Sequence, residues 1–266
     1  MPTLIAHITD SHVGVGPGSS ASAAALTAAV EAIEALEPAP VAVLLTGDIA
    51  ANGRAEEYER VRELLAPLTM PVHPLMGNHD DREALRAGFA DHPDVAAADG
   101  FIQYRAECGP VTVIACDTHD PDWYGGRLGA ERLGWIESEL EQAAGPTVLA
   151  MHHPPILTGI HEFDVEIPLA PEDREALAAL SHQPDLIVSG HIHLPLRGTL
   201  GRTPVFVSPS VHLQAAFDLT PGAEVRLVPD PPGFALHLHG ADPSIISYVR
   251  PLPVAEGADR LRSADA

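Results

Sequence analysis

The sequence predicts an α/β fold, and three observations predict it. Short apolar runs near the N-terminus, Leu4 to Thr9, Val41 to Leu45 and Met70 to Met76, alternate with segments of helical period. Each of those runs ends in a polar group able to bind a metal. Beyond Leu196 the pattern changes to short strands separated by Gly or Pro, which suggests hairpins.

Leu4 to Thr9 is a strand that ends in Asp10-Ser11-His12. Residues two apart in extended chain face the same side at about 6.6 Å between Cα atoms, so Asp10 and His12 can reach one ion. By itself the pair reads rather as an Asp and a His on a polar loop. After a Gly/Pro/Ser loop, Ala21 to Leu36 carries Leu26, Val30 and Ile33 at helical spacing and stops at Pro38. The unbroken run Val41 to Leu45 suits a strand buried on both faces and ends in Thr46-Gly47-Asp48. A helix over Ala55 to Leu65 follows, and the next strand delivers Gly77-Asn78-His79-Asp80. There Asn78 offers a neutral amide oxygen and His79 an imidazole that exchanges protons near neutral pH. Right-handed βαβ units in one sheet put all three polar ends on the same edge, where open α/β sheets place ligands.

Asp81 to Phe89 reads as helical, and Gln103 to Ala106 is a partner for the strand Val111 to Cys116. Asp117 and His119 repeat the Asp10/His12 spacing and are read as loop polar groups near the site. Leu128 to Glu141 is a helix that Gly145-Pro146 ends, and the strand Thr147 to Met151 delivers His152-His153-Pro154-Pro155. The proline keeps that backbone extended and helps aim an imidazole. A loop over Ile156 to Ala170 is the candidate substrate lid, with packing or dimer contact as its other reading. A helix then opens at Pro171-Glu172-Asp173, and the strand Asp185 to Ser189 ends in Gly190-His191-Ile192-His193. In the last part Val205 to Val207, Glu224 to Val228, Phe234 to His239 and Ile245 to Val249 read as strands. His237 and His239 alternate there as an exposed strand face.

Composition narrows the function. No linker divides the 266 residues, so residues 1–254 are expected to form one domain, with 255–266 a small, polar, disordered tail. Lys and Arg number 15 against 37 Asp and Glu, a net charge of −22, which repels nucleic acid and anionic membranes and favours a small ligand. The N-terminus lacks a secretory signal and no apolar run reaches the roughly 18 residues of a membrane helix, so a cytoplasmic protein is expected. Cys108 and Cys116 form no CxxC pair, and Cys116 reads as a small buried hydrophobe.

Taken together, Asp10-x-His12, Gly47-Asp48, Gly77-Asn78-His79-Asp80, His152-His153 and Gly190-His191-x-His193 all stand at the ends of apolar strands. This series resembles that of the calcineurin-like metallophosphoesterase superfamily from Asp10 to His193. Through Gly77 to Arg82, His152 to Pro155, Ala216 to Leu219 and Pro232 to Phe234 it looks most like the bacterial class III cyclic nucleotide phosphodiesterases.

The resemblance implies a four-layer fold, two mixed β-sheets packed face to face and flanked by helices, with a pair of metal ions. Carried over residue by residue, Asp10, His12, Asp48 and His193 would hold the first ion. Asp48, Asn78, His152 and His191 would hold the second, with Asp48 bridging. Imidazoles mixed with hard oxygens suit divalent or mixed-valence Fe or Mn, or else Zn or Co, better than Ca or Mg. Two divalent ions outweigh the charges of Asp10 and Asp48, so the pocket would be cationic inside an acidic chain and would draw in a small phosphodiester. The implied reaction is hydrolysis of 3′,5′-cyclic nucleotides by a metal-bridging hydroxide, with His79 assisting the leaving group. Another small diester (a 2′,3′-cyclic nucleotide, a glycerophosphodiester or a nucleotide sugar) is the alternative substrate, and a non-catalytic metal-binding scaffold is the alternative class. Asp80 is read either as orienting His79 or as capping the next helix, Arg82 as a surface group, and His153 as supporting the site without ligating. A homodimer is a family expectation.

Overall fold

A computed structural model describes residues 2–16, 18–241 and 244–253. The tail expected at 255–266 lies outside the described residues.

The first half builds β1 (Thr3–Ile8), α1 (Ser20–Glu34), β2 (Ala42–Thr46), α2 (Ala55–Leu65) and β3 (Val72–Leu75). These are two βαβ units, and β1, β2 and β3 pair in parallel with Ile5 opposite Ala42 and Val43 opposite Val72. Two short helices follow, α3 (Arg82–Gly88) and α4 (Pro93–Ala97). Next come β4 (Tyr104–Cys108), β5 (Val111–Ala115), the small hairpin β6 (His119–Asp120) with β7 (Trp123–Gly126), α5 (Gly129–Gln142) and β8 (Thr147–Ala150). A π-helical turn over Glu162–Glu166 precedes α6 (Pro171–Ala178) and β9 (Leu186–Ser189). The chain ends in β10 (Leu196–Leu200), β11 (Thr203–Val207), β12 (Gln214–Ala215), β13 (Leu227–Val228), β14 (Gly233–His239) and β15 (Ile245–Pro251).

The strands form two large mixed sheets, ordered β15-β14-β1-β2-β3 and β10-β11-β9-β8-β5-β4. Alternation along the second sheet explains why two layers of helix sandwich two layers of strand. Ile114, Leu149, Ile187 and Val205 pack with Ile136 and Leu140 of α5 and Leu177 of α6. Their neighbours Val113, Ala115, Val148, Ala150, Val188 and Phe206 turn the other way and join one cluster with β1, β2, α1 and α2. Side chains of period two therefore serve two cores, each buried Leu or Ile contributing about 1.5–3 kcal/mol. The fold is the four-layer α/β arrangement that the sequence leads one to expect.

Two late strands differ from expectation. Glu224 to Val228 contributes only Leu227–Val228, paired with Gln214–Ala215. The strand face carrying His237 is not exposed: His237 is buried between the sheets, its ring 5.6 Å from that of Phe206. There His7 and His237 bond through Nδ1 and Nε2 at 3.1 Å, and Thr46 and Ser247 take the outer nitrogens at 2.7 and 2.8 Å. Mutual hydrogen bonding makes burial of these imidazoles tolerable. Among the described residues no helix is long and apolar enough to cross a membrane.

Candidate metal centre

Both sheets direct strand ends to a common rim, and the backbone there is strained. Asp10, His12, Asp48, His191 and His193 all have positive φ, between 43° and 71°, although none is glycine. Such residues cost of order 1–3 kcal/mol each and persist only where their surroundings hold them. Here the tips hold each other. Asp10 N–H donates to the Gly47 carbonyl at 3.1 Å and His12 N–H to the Asp48 carbonyl at 2.9 Å. His191 N–H donates to the Asp10 carboxylate at 3.0 Å, and His79 N–H to the Asp48 carboxylate at 2.9 Å. This approach requires glycine at three places: a Cβ on Gly47 would collide with the His152 ring and the Gly77 backbone, one on Gly77 with the Asp48 backbone nitrogen and carboxylate, and one on Gly190 with the Thr9 hydroxyl and the Asp10 carboxylate.

Seven side chains that the sequence singles out as ligands are brought to this rim. Ligand atoms of Asp10, His12, Asp48 and His193 lie within 4.8 Å of one another. His193 Nε2 is 3.3 Å from Asp10 Oδ1 and 3.1 Å from His12 Nε2, which is 3.6 Å from Asp48 Oδ2. On the other side His152 Nε2 is 3.4 Å from Asp48 Oδ1 and 3.1 Å from Asn78 Oδ1, with His191 grouped beside it. Asp48 thus touches both groups.

Hydrogen bonds on the far side of three of the four imidazoles fix their tautomers. A carbonyl only accepts, so His152 donates Nδ1–H to Thr46 at 2.8 Å, His191 donates Nε2–H to Ile167 at 3.0 Å, and His193 donates Nδ1–H to Leu213 at 2.8 Å. In its neutral form each of these rings would turn a lone pair toward the two carboxylates, His152 and His193 from Nε2 and His191 from Nδ1. His153 is different. It donates Nε2–H to the Tyr124 carbonyl at 3.0 Å and accepts from the Thr118 hydroxyl on Nδ1 at 2.8 Å, so neither nitrogen is free.

Electrostatics follow from this crowding of buried groups. Burial works to raise the Asp10 and Asp48 carboxyls, but imidazoles outweigh it: His193, then His152, bring Asp10 down to about 2, and His152, then His12, hold Asp48 well below the ordinary range. Burial alone would lower His152, yet the carboxylates of Asp48 and Asp10 push it up to about 9, and Asp10 likewise raises His193. His12 and His191 have weaker partners, and burial takes both down to about 3.

The neighbours of the centre amend several expectations. His79 is exposed at the rim, its ring edge-on to His12 at 4.8 Å and its Nδ1 3.1 Å from the Ala51 carbonyl. Asp80 neither touches His79 nor caps the helix, which Asp81 does by accepting from Ala84 N–H at 2.9 Å. Asp80 is instead buried and accepts from the amides of Ile49 and Ala50, from Gly77 N–H at 2.9 Å and from the Tyr58 hydroxyl at 2.9 Å, tying the ends of β2 and β3 together. Arg82 is not a surface group: it pairs with fully buried Asp117 through two bonds of 2.7 and 3.0 Å. Within 156–170, Ile167 anchors His191 and Phe163 packs against its ring at 5.5 Å, so that loop supports the centre from behind. Both cysteines are buried.

The residues present fit a metal pair. Two carboxylates, an amide oxygen and four imidazoles converge on one rim, and three of the imidazoles give their other N–H to a backbone carbonyl, as metal-bound histidines do. Two packed mixed sheets carrying such a centre at their strand ends define a metallophosphoesterase. The chain belongs to the calcineurin-like phosphoesterase family, whose profile matches residues 3–195. It is 34% identical over 216 residues to a probable cyclic nucleotide phosphodiesterase of Rhodopseudomonas palustris, covering 79% of this chain and 77% of that protein. It is 30% identical over 227 residues to a probable glycerophosphodiester phosphodiesterase of Arcobacter nitrofigilis, covering 85% and 83%. A purple acid phosphatase from yellow lupin shares the fold at a TM-score of 0.65 and 16% identity, over 94% of this chain and 52% of that one.

Proposed function

We propose that this protein is a two-metal phosphodiesterase acting on 3′,5′-cyclic nucleotides, cAMP and cGMP. The observation that carries the reading is Asp48 lying between two groups, 3.6 Å from His12 and 3.4 Å from His152, with three histidine tautomers fixed from behind. Asp10, His12, Asp48 and His193 would hold one ion, and Asp48, Asn78, His152 and His191 the other. The mixture of imidazole and hard oxygen favours Fe or Mn, with Zn or Co as the next candidates. Bound divalent ions supply charge that polarises a phosphoryl group and lowers the pKa of water toward neutrality.

The chain's own residues do the rest. Asp48 and Asn78 come from the tips that Asp80 ties together, which fixes their separation. His79 gives Nδ1–H to Ala51, so its Nε2 faces outward and, in the imidazolium form, donates to the departing alkoxide. The probable cyclic nucleotide phosphodiesterase of Rhodopseudomonas palustris supports the cyclic nucleotide, and the probable glycerophosphodiester phosphodiesterase of Arcobacter nitrofigilis supports a glycerophosphodiester as the second reading. An unreactive scaffold needs neither His79 nor the full donor set, and this chain keeps both.

The test is a substrate panel with purified, manganese-loaded protein: cAMP, cGMP, a 2′,3′-cyclic nucleotide and a glycerophosphodiester, each with wild type and His79→Ala. Hydrolysis of cAMP and cGMP to 5′-nucleotides, reduced about 10²- to 10⁴-fold in His79→Ala with metal content unchanged, is expected. Turnover of the glycerophosphodiester alone would overturn the substrate assignment, and equal rates for the two proteins would overturn the role of His79.

A further inference from the structure

Aromatic rings lead outward from the centre in an unbroken series. His193 lies 5.0 Å from His12 between ring centroids, His12 lies 4.8 Å from His79, and His79 lies 5.8 Å from Tyr124. Tyr124 is the outermost and is 61% exposed. A tyrosine this open on a short hairpin usually serves only as surface, but its backbone here belongs to the centre. Its carbonyl receives Nε2–H of His153, and a Cβ on Gly126, two residues on, would collide with the His153 ring. Trp123 beside it donates Nε1–H to the Glu166 carbonyl at 2.8 Å, which pins the hairpin to the turn before Ile167, the anchor of His191. The largely exposed Tyr124 is thus presented next to His79, the group assigned to the leaving alkoxide, its ring tilted 42° to that imidazole. Phe217 is also exposed, at 74%, but among the described residues no ring contact ties it to the site.

We propose that Tyr124 is the platform on which the purine base of the substrate stacks, making it the specificity residue that separates nucleotides from diesters without a base. The proposal rests on the cyclic nucleotide reading. In a cyclic nucleotide the 3′-oxygen leaves toward His79, and the base is carried by the same ribose one sugar width from phosphorus. The next ring beyond His79 is Tyr124. The contact uses the π-face and no hydrogen bond, so it accepts adenine and guanine alike. A glycerophosphodiester offers the ring nothing to stack on.

Tyr124→Ala and Tyr124→Phe are compared with wild type, manganese-loaded, for KM and kcat with cAMP, cGMP and glycerophosphocholine. Binding of 5′-AMP and of inorganic phosphate is measured by calorimetry on the same three proteins. Stacking on an aromatic side chain is lost on alanine substitution to the extent of about 5- to 100-fold in affinity. Tyr124→Ala should raise KM for both cyclic nucleotides by about tenfold or more and weaken 5′-AMP to the same degree. It should leave inorganic phosphate binding, metal content and any glycerophosphocholine turnover as in wild type, and Tyr124→Phe should behave as wild type. Weakening of phosphate and 5′-AMP alike, or no change in either, overturns the role of Tyr124. Should wild type cleave no cyclic nucleotide, the function proposed above fails by itself. The 5′-AMP to phosphate affinity ratio then still decides for or against Tyr124, being lowered in Tyr124→Ala if the ring stacks and unchanged if it does not.

Discussion

Tyr58→Phe removes one oxygen from a fully buried side chain and isolates the clamp that holds the centre in shape. The Tyr58 hydroxyl donates to Asp80 Oδ1 at 2.9 Å and accepts from Asp81 N–H at 3.0 Å. Phenylalanine keeps the ring volume, so no cavity term enters. A hydrogen bond to a charged acceptor is worth about 1.5–3 kcal/mol, and a backbone N–H left without a partner costs about 1–3 kcal/mol unless water reaches it. Asp81 lies toward solvent, so its term sits at the low end, and the sum is about 3 kcal/mol, roughly a hundredfold in the folding equilibrium. Urea titration of metal-stripped wild type and variant reads this directly. With a slope of about 3 kcal/mol/M the midpoint should fall by about 1 M while the slope stays the same. Because Asp80 also holds the amides of Ile49, Ala50 and Gly77, manganese affinity should fall in the same variant. A midpoint within about 0.3 M of wild type would refute the claim that this hydroxyl secures the strand tips.

Further outcomes are open to measurement. Gly190→Ala should expel Asp10 and His191 from their places and lower both stability and metal content, whereas Gly134→Ala, in open space on α5, should raise stability by about 0.5–1 kcal/mol; urea melts and elemental analysis of both variants check this. Arg82→Ala leaves the fully buried Asp117 without its main cation and should cost about 3–5 kcal/mol in the same urea assay. Acid should destabilise the fold early. Burial takes His73 down to about 4 and His237 to about 3, and holds His7 well below its ordinary value. These rings are neutral when folded while the unfolded chain takes protons below about pH 6.5. Stability is therefore whole above pH 6.5 and declines as pH falls from 6.5 toward 4, by up to about 1.4 kcal/mol per pH unit for each histidine. His237→Gln should flatten that slope in denaturation experiments run between pH 4 and 7.

What could be read from the sequence was whatever is local or periodic. The runs ending in Asp10, Asp48, Asn78, His152 and His191 identify themselves, because a buried strand must be apolar and the first polar residue after it marks the rim. The two βαβ units then fix which edge the rim lies on. The clamp at Asp80 was not legible. Its partners Ile49, Ala50 and Tyr58 meet it only once β2 and β3 are neighbours, and nothing near Asp80 in the chain announces them. Arg82 and Asp117 are 35 positions apart, and a charged residue on a short helix looks solvated until the strand opposite is placed. His237 failed for a related reason: polar alternation in a strand signals an exposed face only when no second sheet covers it, and here β11 does. The positive φ angles at five of the seven candidate ligand positions have no sequence signal either, since glycine is the usual marker and none of these residues is glycine.

Calorimetric titration of metal-stripped protein with Mn²⁺, run on wild type and on Asp48→Ala, tests the shared centre most directly. Wild type should bind two ions per chain, and the variant should lose measurable binding at both sites, because Asp48 borders both ligand groups. A stoichiometry of one or less in wild type, or two ions bound undiminished by Asp48→Ala, would contradict a metal pair bridged by this carboxylate.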